Sequence, residues 1–197
     1  MIDVKDYYLP DAGILDSQPS SKVFVWQPDR IYVVLGRSNN ATDALIRENV
    51  LMDNVEVLKR PSGGETVILS PKMLVIASLM PVAVGLKPRD YFHKINNIII
   101  EAIESFGVKD LSTRGISDIS IGQKKILGSA VYRRPDAVFY HAVLNVGEDV
   151  ALISRYISHP SREPDYRRGR SHNEFVTSLR AQGYDIDISK IAEMIAR

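Results

Sequence analysis

The sequence predicts an α+β fold: a mixed, largely antiparallel β-sheet flanked by helices. Three observations predict it. Apolar runs of strand length recur through both halves of the chain. Many are separated by only a few residues with turn chemistry, the spacing of hairpins and not of β–α–β crossovers. One long segment, 88–106, repeats its apolar residues at three and four and reads as a helix.

In chain order, Val23–Trp26 and Ile31–Leu35 read as strands of a hairpin, with Pro28 at the second position of the turn 27–30. Gly36-Arg37-Ser38-Asn39-Asn40 is a polar loop. Residues 41–52 read as one helix, with Ala41, Leu45, Val50 and Met52 as its apolar positions. Residues 55–58 form a short strand running into Lys59-Arg60-Pro61-Ser62-Gly63-Gly64-Glu65. Strands follow at 66–69 and 73–80, the second nearly all apolar and therefore central. In the helix 88–106, Pro88 suits the first turn. Tyr91, Ile95, Ile98, Ile99, Ala102, Ile103 and Phe106 make one wide apolar face, and Gly107 is a stop. Residues 116–121, 124–132 and 138–146 alternate as antiparallel strands, the first two joined at Gly122-Gln123. Asp149 opens a helix of about eight residues. A Pro- and Arg-rich loop spans 158–172. Ser171 to Glu174 has capping-box spacing before 175–179, and a last helix covers 189–197. Nothing in the 197 residues marks a linker or a repeat, so one domain is expected over 1–197.

Composition excludes several classes of function. Hydrophobic residues at 45% and charged residues at 25% describe a chain that buries a core. The net charge of +1 lacks the basicity of a general nucleic-acid binder, so no nucleic-acid partner is expected. No apolar run reaches about 18 residues, so no membrane span is expected. Residues 1–6 lack the apolar core of a secretory signal, and a cytoplasmic location is expected. The absence of cysteine removes disulfides, thiolate metal sites and every cysteine-nucleophile mechanism. Neither a dinucleotide fingerprint nor a P-loop occurs.

Four segments carry candidate chemistry, each with a plainer alternative. In 60–65, two adjacent glycines let backbone N–H groups approach an anion, and Arg60 adds a charge that forks onto phosphate; the alternative is a hairpin turn beside a charge. Lys125 stands across a tight turn from Asp118, near Gly128, Ser129 and Ala130, whose small side chains leave a pocket wall open. It would neutralise a carboxylate or phosphate there, or form a solvated pair at a sheet edge. His141 lies on an apolar strand and is a site group or a satisfied core histidine. His93, His141, His159 and His172 show no metal-ligand spacing. Residues 162–172 hold four arginines against two acids: a dock for phosphate, RNA or an acidic protein, or a solvated loop.

Taken in order, these segments resemble the lipoate–protein ligase A family, within the biotin and lipoate protein ligases. Val34 to Asn40 resembles the family's "LGR-x-x-N" segment and Lys59 to Gly64 its "RR-x-SGG" loop. Gly115 to Ile121 resembles "G-x-ND-hydrophobic". Lys124 to Ala130 resembles "K-hydrophobic-SGSA", and Phe139 to Leu144 "hydrophobic-HHGTL". Pro164 to Leu179 looks like the close of the catalytic domain in short members, so the likeness spans about residues 30–180.

The resemblance implies an ATP-dependent enzyme that activates lipoate, with magnesium, to lipoyl-adenylate. The lipoyl group then passes to a lysine of a carrier domain, such as a glycine-cleavage H protein or a 2-oxoacid dehydrogenase subunit. It implies Lys125 as the catalytic group. The substrate- and adenylate-binding set it implies is Arg37, Asn40, Arg60, Ser62, Gly63, Gly64, Asp118, Gly128, Ser129, Ala130 and His141, with Asp118 also a magnesium ligand. The acceptor domain would be acidic and the acyl donor lipoic or octanoic acid. Long ligases carry a small C-terminal domain; this chain is expected to lack it and to call on a separate accessory subunit. Related octanoyltransferases use a cysteine absent here, so the alternatives are a cysteine-independent lipoyl or octanoyl transferase without adenylation, or a non-catalytic lipoyl-binding or assembly homologue. Departures from the family pattern are Glu65 after the glycines, Leu69 to Leu74 where a His-Asp-x-Gly-Asn stretch is usual, Ser117 for Asn, and Ala142-Val143 for Gly-Thr.

Overall fold

The computed structural model describes residues 2–197. The strands are β1 (Val4–Asp6), β2 (Val23–Trp26), β3 (Tyr32–Leu35), β4 (Glu56–Lys59), β5 (Val67–Leu69), β6 (Met73–Pro81), β7 (Leu111–Arg114), β8 (Asp118–Ile121), β9 (Lys124–Arg133) and β10 (Ala137–Asn145). The helices are α1 (Ala41–Ala44), α2 (Arg47–Met52), α3 (Pro88–Glu104), α4 (Val150–Tyr156), α5 (His172–Phe175) and α6 (Ile188–Ile195). A 3-10 turn spans Pro10–Asp16.

The strands form two sheets: a six-stranded antiparallel one ordered β2-β6-β10-β9-β8-β7, and a four-stranded mixed one ordered β1-β4-β3-β5. The α+β class is as expected. β6 is an inner strand, one in from the edge, with Met73 to Met80 all buried. Strand alternation decides what each face meets. Leu74, Ile76, Met80, Val138, Tyr140, Ala142 and Leu144 pack against the apolar face of α3 and against Ile191 and Ile195 of α6. Val75, Ala77, Leu79, Phe139 and Val143 fall on the other face, toward the N-terminal turn and the four-stranded sheet. His141 shares that second face by register.

Two expectations fail. The strands 23–26 and 31–35 are not a hairpin: β2 pairs antiparallel with β6, whereas β3 pairs with β4 and β5. Tyr32 to Leu35 are buried throughout, as suits an inner strand with a parallel neighbour, while β2 is an only partly buried edge. The helix 41–52 is broken at Leu45, which bridges Ile157, while the Ile46 N–H donates to the Tyr156 carbonyl. Similarly, α5 lasts one turn before Val176 bridges Lys125 beside β9. The sequence reading passed over β1, the 3-10 turn and β7.

Candidate active site

A cavity of about 790 Å3 is lined by strands of both sheets and by the 158–167 segment. That is the size range of a small-molecule site. Its walls divide by chemistry. Ile68, Leu69, Met73, Val75 and Val143 supply apolar surface; Lys125, Asp118, Arg162 and Asp165 supply charge.

Lys125 is held by the β8–β9 hairpin, whose turn uses Gly122 at φ +55°. A register shift between Ile119 and Ser120 sets Lys125 opposite Ser120. Its Nζ then lies 2.8 Å from Asp118 Oδ1. Asp118 is buried, and its second oxygen accepts from the Tyr166 hydroxyl at 2.8 Å. The side chain of Lys125 passes over Gly128: a Cβ there would sit 2.6 Å from Nζ and 2.7 Å from Cε. Glycine at 128 is what makes room for the ammonium. Ser129 lines the cavity too, but its hydroxyl donates to the Ser117 carbonyl at 2.7 Å.

The glycine loop closes on the same space. Gly64 adopts φ +86°, and a Cβ on it would lie 3.7 Å from Ala130. Gly36 passes so close beneath that a Cβ would fall 1.9 Å from the Gly64 carbonyl oxygen. Arg60 is buried and fully committed to the loop. Nε donates to Ser62 Oγ at 3.1 Å, Nη1 to the Val34 carbonyl at 3.1 Å, and Nη2 to the Gly63 and Glu65 carbonyls at 2.8 and 2.7 Å. Burial pushes its guanidinium down to about 10, so it stays charged at neutral pH. Its donors therefore support the loop and do not fork onto the cavity.

Not every expected residue reaches the cavity. Arg37 is exposed and outside the lining, with its backbone N–H donating to the Ser62 carbonyl. Ser62 is fully buried, and neither it nor Gly63 lines the cavity. Asn40 lines the cavity, but its side chain caps α1 by accepting from the Asp43 N–H at 2.9 Å. Its neighbour Asn39 does the loop work, accepting from Gly36 N–H at 3.1 Å and donating to Glu65 Oε2 at 3.3 Å. Asp118 would share any magnesium with the Lys125 ammonium on Oδ1 and the Tyr166 hydroxyl on Oδ2, and among the described residues no group of three or more His, Asp or Glu is placed to hold a resident metal by itself.

His141 is buried, with Nε2 on Ser62 Oγ and Nδ1 3.7 Å from Asp11 Oδ2. Burial pushes its imidazole below the ordinary value, and Arg60 adds to this against the opposing pull of Asp11. The basic segment is anchored, not merely solvated: Arg167 is buried with its guanidinium 4.9 Å over the Phe175 ring, and Tyr166 packs on the same ring at 5.0 Å. Sequence reasoning missed Asp11, Asn39 and Tyr166 as site residues. Tyr166 and Asn39 stood inside quoted motifs; Asp11 had no signal, being a lone acid in an unrecognised turn.

The fold recurs in solved lipoate protein ligases. The bipartite ligase from Thermoplasma acidophilum, described with its E2 lipoyl domain, superposes with a TM-score of 0.79 at 19% identity, over 94% of this chain and 73% of that one. A lipoate-protein ligase A bound with ATP gives 0.74 at 18% identity, over 88% and 68%. Residues 6–197 match the lipoyl protein ligase A/B catalytic domain, and the chain belongs to that family. A lipoate-protein ligase A of Psychrobacter cryohalolentis is 31% identical over 143 residues, 72% of this chain and 40% of that protein. The chain spans about two-fifths of the length of the curated relatives it matches.

Proposed function

We propose that the chain is the catalytic unit of a lipoate–protein ligase, which activates lipoate with ATP to lipoyl-adenylate and transfers the lipoyl group to a lysine of a carrier domain. The observation that carries this reading is the Lys125 ammonium, 2.8 Å from Asp118 over the bare Gly128, in a cavity with apolar walls beside Gly64. A carboxylate and an α-phosphate repel each other. In the first step a carboxylate oxygen of lipoate bonds to the α-phosphorus and pyrophosphate leaves. A fixed ammonium beside both anions offsets their repulsion, and removing such a donor costs about 2.7–4 kcal/mol of barrier. In the second step the acceptor amine bonds to the acyl carbon and AMP leaves, which requires positioning and no nucleophile from the protein. Asp118 and Tyr166 aim the ammonium; Gly64 offers backbone. Magnesium enters with ATP as part of the substrate. The ATP-bound neighbour and the lipoyl-domain partner of the archaeal one support this reading.

The test is mass spectrometry of a carrier domain incubated with the chain, lipoate, ATP and magnesium, with pyrophosphate release followed in parallel. The expected result is a lipoyl adduct that Lys125→Ala abolishes; retained turnover in that variant refutes the role. One observation favours a second reading, acyl transfer without adenylation: Glu65 is among the residues lining the cavity, and an acid there would repel a triphosphate. Adduct formation from preformed lipoyl-adenylate or an acyl-carrier thioester, with no response to ATP, selects it. Adenylation that needs an added accessory subunit would show as pyrophosphate release only on mixing.

A further inference from the structure

A run of buried polar groups crosses from the N-terminal turn to the glycine loop, and the chemistry above uses none of its far end. Asp11, fully buried in the 3-10 turn, accepts from the Tyr7 hydroxyl at 2.7 Å and from Trp26 Nε1 at 3.1 Å, both on Oδ1. Its Oδ2 is buried without a hydrogen-bond partner, and His141 Nδ1 lies 3.7 Å from it. Beyond the ring, His141 Nε2 meets Ser62 Oγ, which already accepts from Arg60 Nε.

The proton positions follow from this wiring. A lone pair on Nδ1 would face a buried carboxylate oxygen 3.7 Å away, so Nδ1 carries the proton. Nε2 then accepts from the Ser62 hydroxyl, and the Ser62 oxygen accepts from Arg60. In the opposite tautomer two donors converge on Ser62 Oγ and its own proton is left with no acceptor, a costly arrangement when buried. The same three residue types make a nucleophile elsewhere. Here the hydroxyl is fully buried and off the cavity wall, so it reaches no acyl carbon.

We propose that Asp11 is a positioning residue: it holds His141 in the Nδ1–H tautomer, and through Ser62 and Arg60 it fixes the twin-glycine loop against the cavity. This rests on the reading that the loop faces the activated acyl group. The two sheets contribute different links of the run, β10 the histidine and the β4–β5 loop the serine and arginine. The wiring therefore also sets the distance between the loop and Ala130.

The experiment is long-range proton–nitrogen NMR on the full chain with 15N-labelled histidine. In the wild type, His141 is expected neutral with its proton on Nδ1; a proton on Nε2 overturns the proposal without reference to any activity. Asp11→Asn is isosteric and informative. Its carbonyl is retained by Tyr7 and Trp26, so its amide turns NH2 toward Nδ1 and the ring must invert to Nε2–H. Carrier lipoylation is then expected to fall on the order of 100-fold through misplacement of the loop, with helix and strand content retained. In a Ser62→Ala background the same substitution is expected to add little, because coupled groups are non-additive. An unchanged tautomer in Asp11→Asn, additive losses, or an acyl adduct on Ser62 in the intact protein would each overturn it. If the wild type itself proves inactive as a ligase, the functional reading fails while the tautomer measurement still decides this one.

Discussion

Gly128→Ala separates the site from the fold more cleanly than removing any charged group. The new methyl would lie 2.6 Å from Lys125 Nζ and 2.7 Å from Cε, but 3.7 Å from Asp118 Oδ1. Comfortable carbon contacts begin at about 3.5 Å, so about 1 Å must be recovered. The obstacle is the end of a flexible side chain, so the lysine swings away and the backbone stays. Lys125 is 27% exposed but Asp118 only 9%, so drawing the ammonium away costs between the ~1 kcal/mol of a surface pair and the ~3–5 kcal/mol of breaking a buried one. Gly128 is not among the positive-φ glycines, so alanine returns about 0.4–1 kcal/mol by restricting the unfolded chain. A net loss of about 1–3 kcal/mol is expected. Activation loses its aimed ammonium, and the loss of one such donor is about 100- to 1,000-fold in turnover. Pyrophosphate release and a urea titration on the same sample test this. Near-normal turnover would refute the claim that the ammonium's place matters. A loss well beyond about 3 kcal/mol in the urea titration would refute the claim that only the side chain moves.

The other predictions are simpler. Gly36→Ala places a Cβ 1.9 Å from the Gly64 carbonyl, where backbone and not a side chain must yield, so a loss of about 1–3 kcal/mol is expected in urea. The control Gly63→Ala, with nothing within 4 Å, is expected within about 0.5 kcal/mol of wild type. Burial holds His141 and His172 below their ordinary value. The unfolded state therefore binds more protons than the folded one, so their contribution is complete above about pH 6.5 and is lost as pH falls through and below that value. Urea midpoints that rise on acidification from about pH 7 to about pH 5 would contradict the sign. Arg162 and Arg168 are exposed on the segment beside the cavity. If they steer an acidic carrier domain, its affinity falls as salt rises from about 50 to about 300 mM, measured by titration calorimetry, and Arg162→Ala flattens the dependence.

What the sequence displayed was local chemistry, and what it concealed was partnership over distance. The capping box at Ser171, the cap at Asp149, the apolar face of α3 and the buried run of β6 are each written within a few neighbouring residues, and each formed. So did the short hairpin that brings Lys125 to Asp118. The false hairpin at 23–35 shows the limit. Two strands joined by a turn look alike whether they pair with each other or depart into separate sheets, and only β6 and β4, whose paired residues lie 49–55 and 24 residues further on, decide it.

The site obeys the same rule. Within one loop, the choice of Asn39 over Asn40 turns on which backbone N–H comes within reach, and no composition records that. Asp11 is the extreme case, an acid that acquires meaning only when β10, 130 residues later, carries His141 to it. Such pairings are also the ones most exposed to change in a neighbouring strand. A shift of one residue in the β6–β10 register would turn His141 into the α3 core and Ala142 toward the loop, leaving Lys125 and Asp118 intact on their own hairpin. The ammonium and the glycine loop are therefore secured by different means: one by a local turn, the other by the packing of two sheets.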